Sequence, residues 1–283
     1  MRKPKAIAVT KTATTNLGAS NNAEFFRRWN IGGAVQVREA LQYIRLIGPL
    51  RTIQLLAFLP LLSIVEYWIP RFSEVETTPF IDPRQFDFHE FTTSAWTQVR
   101  SELDAVLERV DTLPRFQDIA KEATLLTDDD RWRPYLFYLY GHRFDKQCAQ
   151  CPDTDRVLQQ IPSLSSAYFS ILLPGKRIPP HRGPYRGFLR YHLALLVPDH
   201  GECGIRVGDH TAKWEQGVGI MFDDTYEHEV WNDTEQVRVV LFLDIARPMK
   251  FPFNLVNSAV ITLFKWSPFV RDAAKNQAAW DRR

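Results

Sequence analysis

The chain has 283 residues, enough for one large domain or two small ones, and 45% are hydrophobic, enough for a sizeable buried core. Thirty-five Lys and Arg nearly balance 33 Asp and Glu, so the formal charge of +2 gives no global field that argues for nucleic acid as a partner. The three cysteines, Cys148, Cys151 and Cys203, make no disulfide framework, and their odd number fits a reducing compartment better than secretion.

The first thirty residues are basic, then rich in Ser, Thr, Asn and Ala, and read as a poorly ordered tail. No apolar core near Met1 suggests a cleavable secretory signal, so the expected location is cytoplasmic. Leu46 to Ile69 is strongly apolar, broken only by Arg51, Gln54, Ser63 and Glu66 and interrupted by Pro49 and Pro60. Its centre, Leu55 to Val65, is short of the ~20 residues a helix needs to span a bilayer. Three readings stay open: peripheral contact with the cytoplasmic face of the membrane, a span, or a helix packed on its own protein.

After Pro70 the composition becomes that of a soluble domain. Trp96, Val99, Leu103, Val106, Leu107 and Val110 recur at helical spacing, which predicts an amphipathic scaffold helix. Cys148-Ala-Gln-Cys151 has redox or metal spacing, but one such pair without nearby histidines is a weak signal. Asp153 to Ile161 predicts a short helix stopped by Pro162.

From Ala167 the period changes to two. Ala167–Leu173, Leu189–Val197, Gly204–Val207, Val218–Phe222, Glu229–Trp231 and Val237–Ile245 read as strands, separated by Pro-Gly, Gly-Asp and Asn-Asp turn signals. This predicts a mainly β fold, a double-stranded β-helix (a cupin-like jelly roll) with flanking α-helices. Leu255, Val256, Ala259, Leu263 and Phe264 predict a C-terminal helix. The organisation expected is a basic tail and apolar segment over 1–70, a domain over 71–248 with its jelly-roll core at 165–248, and a helical extension over 249–283.

Alternation places Arg190, His192 and Ala194 on one face of their strand, and Leu189, Tyr191, Leu193 and Leu195 on the other. If the first face lines the barrel, its charge needs a partner, and a bound dianion would serve. Arg238 shares a face with Val240, Phe242 and Asp244, and with Ser170 it would suit a small carboxylate. Arg177, Arg182, Arg186 and Arg190 crowd one segment, which suits an anionic ligand or a solvated basic loop alike. His181, in the rigid turn Pro179-Pro180-His181-Arg182-Gly183-Pro184, and His228, in Tyr226-Glu227-His228-Glu229, flank the region. Neutral imidazoles suit Fe(II) and leave open positions for oxygen chemistry.

Leu173-Pro174-Gly175 with His181-Arg182-Gly183-Pro184 and Leu189-Arg190-Tyr191-His192-Leu193, then Phe222-Asp223-Asp224 with His228-Glu229-Val230-Trp231 and Arg238, carry a family pattern in order and spacing. The segment resembles the aspartyl/asparaginyl β-hydroxylase family of 2-oxoglutarate dioxygenases, which also includes bacterial lipid A hydroxylases. The resemblance implies that His181 and His228 ligate Fe(II), with 2-oxoglutarate and O2 as cosubstrates. It implies that Arg238 and Ser170 hold the far carboxylate of 2-oxoglutarate, while Arg190 and His192 lie near the end that chelates iron. Where most such enzymes place a third, carboxylate ligand, this chain has Gly183, so that water completes the coordination unless Asp223 or Asp224 approaches. Glycine there resembles the aspartyl β-hydroxylases and makes hydroxylation of a peptidyl Asp or Asn the leading expectation. The apolar N-terminal segment favours instead the acyl chain of a membrane lipid such as lipid A. A non-catalytic jelly-roll binding protein is the alternative from another class.

Overall fold

The computed structural model describes residues 9–11 and 48–282, so most of the expected tail lies outside the described residues. A short strand β1 (Thr10–Lys11) is followed by the 24-residue helix α1 (Pro49–Phe72). Pro49 starts α1 where a missing N–H costs nothing, and Pro60, expected to interrupt the segment, lies within the helix. Among the described residues no helix is long and apolar enough to cross a membrane.

Next come β2 (Phe80–Ile81), α2 (Phe88–Ser94), α3 (Trp96–Leu107), α4 (Phe116–Ile119), β3 (Trp132–Leu139), β4 (His142–Arg143), α5 (Asp145–Gln150) and α6 (Pro152–Gln159). The remaining strands are β5 (Leu164–Leu172), β6 (Lys176–His181), β7 (Phe188–Leu196), β8 (Glu202–Val207), β9 (His210–Ala212), β10 (Gly219–Phe222), β11 (His228–Asp233) and β12 (Arg238–Ala246). Two helices, α7 (Phe253–Lys265) and α8 (Pro268–Trp280), end the described chain.

Among the described residues the strands form two sheets, one in the order β1-β9-β8-β11-β6 and the other β2-β10-β7-β12-β5-β3-β4. From β5 to β12 the chain alternates between them, crossing back after each strand except at the β8–β9 hairpin. Every pairing in this block is antiparallel, which is the winding of a jelly roll. The fold is therefore mainly β with flanking helices, as the period-two pattern predicts.

Three apolar clusters hold the layers together. Between the sheets, Leu172, Ala194, Ile205, Val207, Phe222 and Val240 bury their side chains. On the outer face of the larger sheet, Leu189, Tyr191, Leu193 and Leu195 meet Val99, Leu103 and Val106 of α3, so both faces of β7 are buried. Trp96 Nε1 donates to Ala194 O at 3.0 Å and ties the start of α3 to that strand. A third cluster joins Leu62, Val65 and Ile69 of α1 to Tyr185, Phe188, Met249 and Val260.

The Pro179-Pro180 segment, expected as a turn, belongs to β6. That strand lies at the margin of its sheet with β11 as its neighbour, where prolines remove no ladder bond on a second side. Cys148 and Cys151 are buried free thiols, and burial pushes each up to about 12, so neither is poised to react.

Arg247 lies after β12 and donates from Nη2 to Asp223 Oδ2 at 2.5 Å, with both side chains fully buried. Removing one partner of such a pair strands the other charge. Arg247→Leu is expected to lower the unfolding free energy by about 3–5 kcal/mol, read as a fall in the urea midpoint; an unchanged midpoint would show that Asp223 is neutral or re-paired.

Candidate active site

The two histidines meet through strand register. β6 and β11 are antiparallel neighbours, and His181 pairs with His228 across them. Their ring centroids are 4.1 Å apart. His181 Nδ1 lies 2.8 Å from Pro179 O and His228 Nδ1 lies 3.0 Å from Tyr226 O. A carbonyl oxygen only accepts, so each Nδ1 carries the proton and each Nε2 presents its lone pair. Burial, then the neighbouring His181 and Arg190, hold His228 well below its ordinary pKa and keep it neutral. This donor set fits a divalent first-row metal that takes imidazole nitrogen.

No group of three or more His, Cys, Asp or Glu side chains that could hold a metal occurs among the described residues. The aspartates near the histidines are engaged elsewhere. Asp223 Oδ1 accepts from the backbone N and Oγ1 of Thr225, and its Oδ2 faces Arg247. Asp224 Oδ2 is 2.8 Å from Arg190 Nη2. Its backbone O accepts from Gly183 N at 2.7 Å, and a Cβ added at Gly183 would lie 1.9 Å from Asp224 Oδ2. The carboxylate of Asp224 thus fills the space that a side chain at position 183 would need.

Arg190 is accordingly not a waiting cation. Its Nε donates to Asp244 Oδ1 at 3.0 Å, its guanidinium lies 4.3 Å from the Phe242 ring centre, and Asp224 closes the other side. Burial opposes its charge, yet Asp224 and Asp244 together raise its pKa above the ordinary value. The other arginines of the crowded segment also have local roles. Arg177 pairs with Asp233, Arg182 donates to Thr225 O at 3.4 Å, and Arg186 is buried near Asp223.

Arg238 differs from these. It is 1% exposed, and no carboxylate pairs with it among the described residues. Its Nη1 reaches Ser170 O at 3.4 Å, its Nε has no hydrogen-bond partner, and its guanidinium stands 4.5 Å from the Trp214 ring centre. Burial brings its pKa down to about 10. His192, on the same inner face, is buried with neither ring nitrogen hydrogen-bonded. Burial first, then Arg238 and Arg190, keep its imidazole neutral. Ser170 Oγ accepts from Trp132 Nε1 at 3.2 Å, which leaves its own O–H to donate. Trp214 Nε1 is likewise buried and unpartnered.

The sheets therefore enclose a cation with no carboxylate beside it and several polar atoms with no hydrogen-bond partner among the described residues, beside two imidazoles whose Nδ1 protons face carbonyl oxygens. A small anion with oxygen acceptors fits that lining. Trp214 and Trp132 escape sequence reasoning because each is a single aromatic with no periodic pattern to fix its direction.

Residues 93–248 match the family model described as Aspartyl/Asparaginyl beta-hydroxylase. The chain is 37% identical over 214 residues to an ornithine lipid ester-linked acyl 2-hydroxylase of Rhizobium tropici, covering 75% of this chain and 76% of that one. It is 30% identical over 186 residues to the aspartyl/asparaginyl beta-hydroxylase of Homo sapiens, covering 63% of this chain and 24% of that relative. Similar solved structures include a Pseudomonas putida prolyl-4-hydroxylase, with a TM-score of 0.33 and 17% identity over 54% of this chain and 88% of that one. The jelly-roll assignment rests on the strand order of this chain and not on that likeness.

An acid introduced at position 183 has to displace Asp224. Gly183→Asp is expected to cost about 1–3 kcal/mol of stability, as overpacking does. Thermal unfolding of this variant beside wild type checks it, and an unshifted melting temperature would mean that Asp224 yields its place freely.

Proposed function

The chain belongs to the aspartyl/asparaginyl β-hydroxylase family, and on that premise we propose that it is an Fe(II)- and 2-oxoglutarate-dependent dioxygenase hydroxylating an acyl chain of a membrane lipid. The observation that carries the cosubstrate assignment is Arg238, a buried guanidinium with no carboxylate partner among the described residues and with Nε unsatisfied. A carboxylate end of 2-oxoglutarate supplies the missing counter-charge, and the Ser170 hydroxyl donates a further hydrogen bond. His192, neutral and without a protein partner, lies on the same face and offers one donor and one acceptor to the bound acid.

His181 and His228 would hold the metal, their Nε2 atoms left as acceptors because Pro179 O and Tyr226 O fix the proton on each Nδ1. Bound Fe(II) would supply the activation of O2, coupled to conversion of 2-oxoglutarate into succinate and CO2. Arg190 is a positioning residue in this reading. It holds Asp224 over Gly183 and shapes the floor beside the histidines without spending its charge on the cosubstrate. The neutral state of His228 and His192 adds no positive charge to a pocket that already contains Arg238.

For the primary substrate, the 37% identity to an acyl hydroxylase over three quarters of both chains supports a lipid. Gly183 favours the second reading, a peptidyl Asp or Asn, because the aspartyl β-hydroxylases resemble this chain in having no acid at that position.

Purified protein given Fe(II), ascorbate, O2 and 2-oxoglutarate is expected to form succinate when an ornithine-type acyl lipid is added, with mass spectrometry showing one oxygen gained on an acyl chain. Oxygen gained on an Asp- or Asn-containing peptide and not on lipid would select the second reading. Absence of succinate with both substrates would make the protein a binder. His181→Ala and His228→Ala are each expected to abolish Fe(II) binding by calorimetry as well as turnover. Loss of charge-assisted hydrogen bonds predicts that Arg238→Ala weakens 2-oxoglutarate binding by about 1.5–3 kcal/mol, roughly 10- to 150-fold, with Fe(II) affinity kept.

A further inference from the structure

α1 and α7 are apolar on more than the face they bury. Leu62, Val65 and Ile69 of α1 pack inward, while Ile53, Ile64, Tyr67 and Trp68 on the same helix are 42–63% exposed. Val260 of α7 packs inward, while Leu255, Leu263 and Trp266 on or just after that helix are 52–72% exposed. A surface helix normally carries charge opposite its buried stripe; these two instead expose large apolar side chains there, and a contiguous exposed apolar patch marks an interaction surface.

The two helices form one surface. Phe72 at the end of α1 stacks on Phe253 at the start of α7, with ring centres 4.2 Å apart. Ser73 bridges Met249 in antiparallel fashion, and Lys250 N donates to Phe72 O at 2.8 Å. Phe251, 76% exposed, projects from this junction.

Exposed charge on the two helices and the turn before α7 is basic, while Glu74 and Glu76, exposed just after α1, lie at the edge of the junction. Within Pro49–Phe72 the sole carboxylate is Glu66, which is 3% exposed and accepts from Arg186 N at 2.8 Å. Residues 248–267 contain no acidic side chain, whereas Arg71, Lys250 and Lys265 are exposed. Exposed Trp and Tyr with apolar neighbours, on helices whose own exposed charges are basic, match the interfacial zone of an anionic bilayer.

The surface also adjoins the active site. Glu66 of α1 holds the backbone of Arg186, and Phe264 of α7 stacks on Tyr185 at 5.8 Å. Tyr185 and Arg186 lie in the connection between β6, which carries His181, and β7, which carries Arg190.

We propose that α1 and α7 form a monotopic docking platform for an anionic lipid surface, placed so that acyl chains at the interface meet the mouth of the site. The docking stands on these helices alone, and the delivery of acyl chains rests on the hydroxylase reading above.

Sedimentation of the full chain with vesicles of phosphatidylcholine, and of phosphatidylcholine mixed with phosphatidylglycerol, tests this. The protein is expected to pellet with the anionic vesicles and less with the neutral ones, and high salt should weaken the binding. The double variant Leu263→Glu/Trp266→Glu, at exposed positions that leave the inner face intact, is expected to bind anionic vesicles about tenfold more weakly or worse. Lys250→Glu/Lys265→Glu provides an independent pair and should lose the preference for anionic lipid. Circular dichroism and 2-oxoglutarate affinity of the iron-loaded variants should match wild type. The platform is overturned if wild type stays in the supernatant with both vesicles, or if the Leu263/Trp266 variant binds them as well as wild type. It is also overturned if light scattering shows a wild-type dimer that this variant converts to monomer without any vesicle binding. Vesicle binding by a protein that consumes no 2-oxoglutarate would leave the platform standing and sink the hydroxylase reading alone.

Discussion

Asp223 and Asp224 are consecutive, both buried, and their carboxylates are committed in different directions from the turn between β10 and β11. A buried carboxylate costs several kcal/mol unless it is paired, so each aspartate fixes the arginines around it. Asp223 takes Arg247 and approaches Arg186 to 3.7 Å, which fastens the end of β12 and the Tyr185–Phe188 connection. Asp224 takes Arg190 and lies against Gly183, which sets the backbone just after His181. Arg247 Nε donates to Arg186 O, so the cations are themselves tied by backbone. The position of the histidine-bearing strand ends, and of the helices packed on that connection, follows from how these two charges are satisfied.

The sequence reveals the parts of this design that repeat. Period-two alternation marks the six longer or cleaner strands of the jelly roll, and helical spacing marks α3 and α7. What it hides has identifiable causes. β3 is buried on nearly all its positions and contains Pro134, so it shows no alternation. β6 carries two prolines that read as a turn until its place at the sheet margin is known. α8 buries Val270, Ala273 and Gln277, too weak an apolar stripe to read in advance.

The same division holds for the site. Alternation puts Arg190 with His192 on one face of its strand and Arg238 with Phe242 on one face of its own, because the direction of a side chain from a strand is local; that these are the inner faces follows only from how the sheets pack. Whether such a cation is already neutralised is not local. Asp244 reaches Arg190 across the β7–β12 register and Asp224 reaches it from the turn before β11, whereas no carboxylate among the described residues reaches Arg238. Two arginines that look equivalent in sequence therefore differ in kind, one closing a structural network and one with no carboxylate beside it among the described residues. Gly183 shows the complementary case. Its lack of a side chain was visible, but the occupant of the space, the Asp224 carboxylate, was 41 positions away in the chain.

β6 combines two properties that bear on how the protein behaves at high concentration. It lies at the margin of its sheet, where an unpaired strand would ordinarily offer a row of backbone donors and acceptors to any passing chain. Pro179 and Pro180 are consecutive and their N–H positions face opposite edges, so one missing donor falls in that outward row, immediately before His181. A foreign strand meets a missing donor there, which disfavours edge-to-edge pairing beside His181. The residues that obscure this strand in the sequence are the ones that make its margin a poor template for another strand.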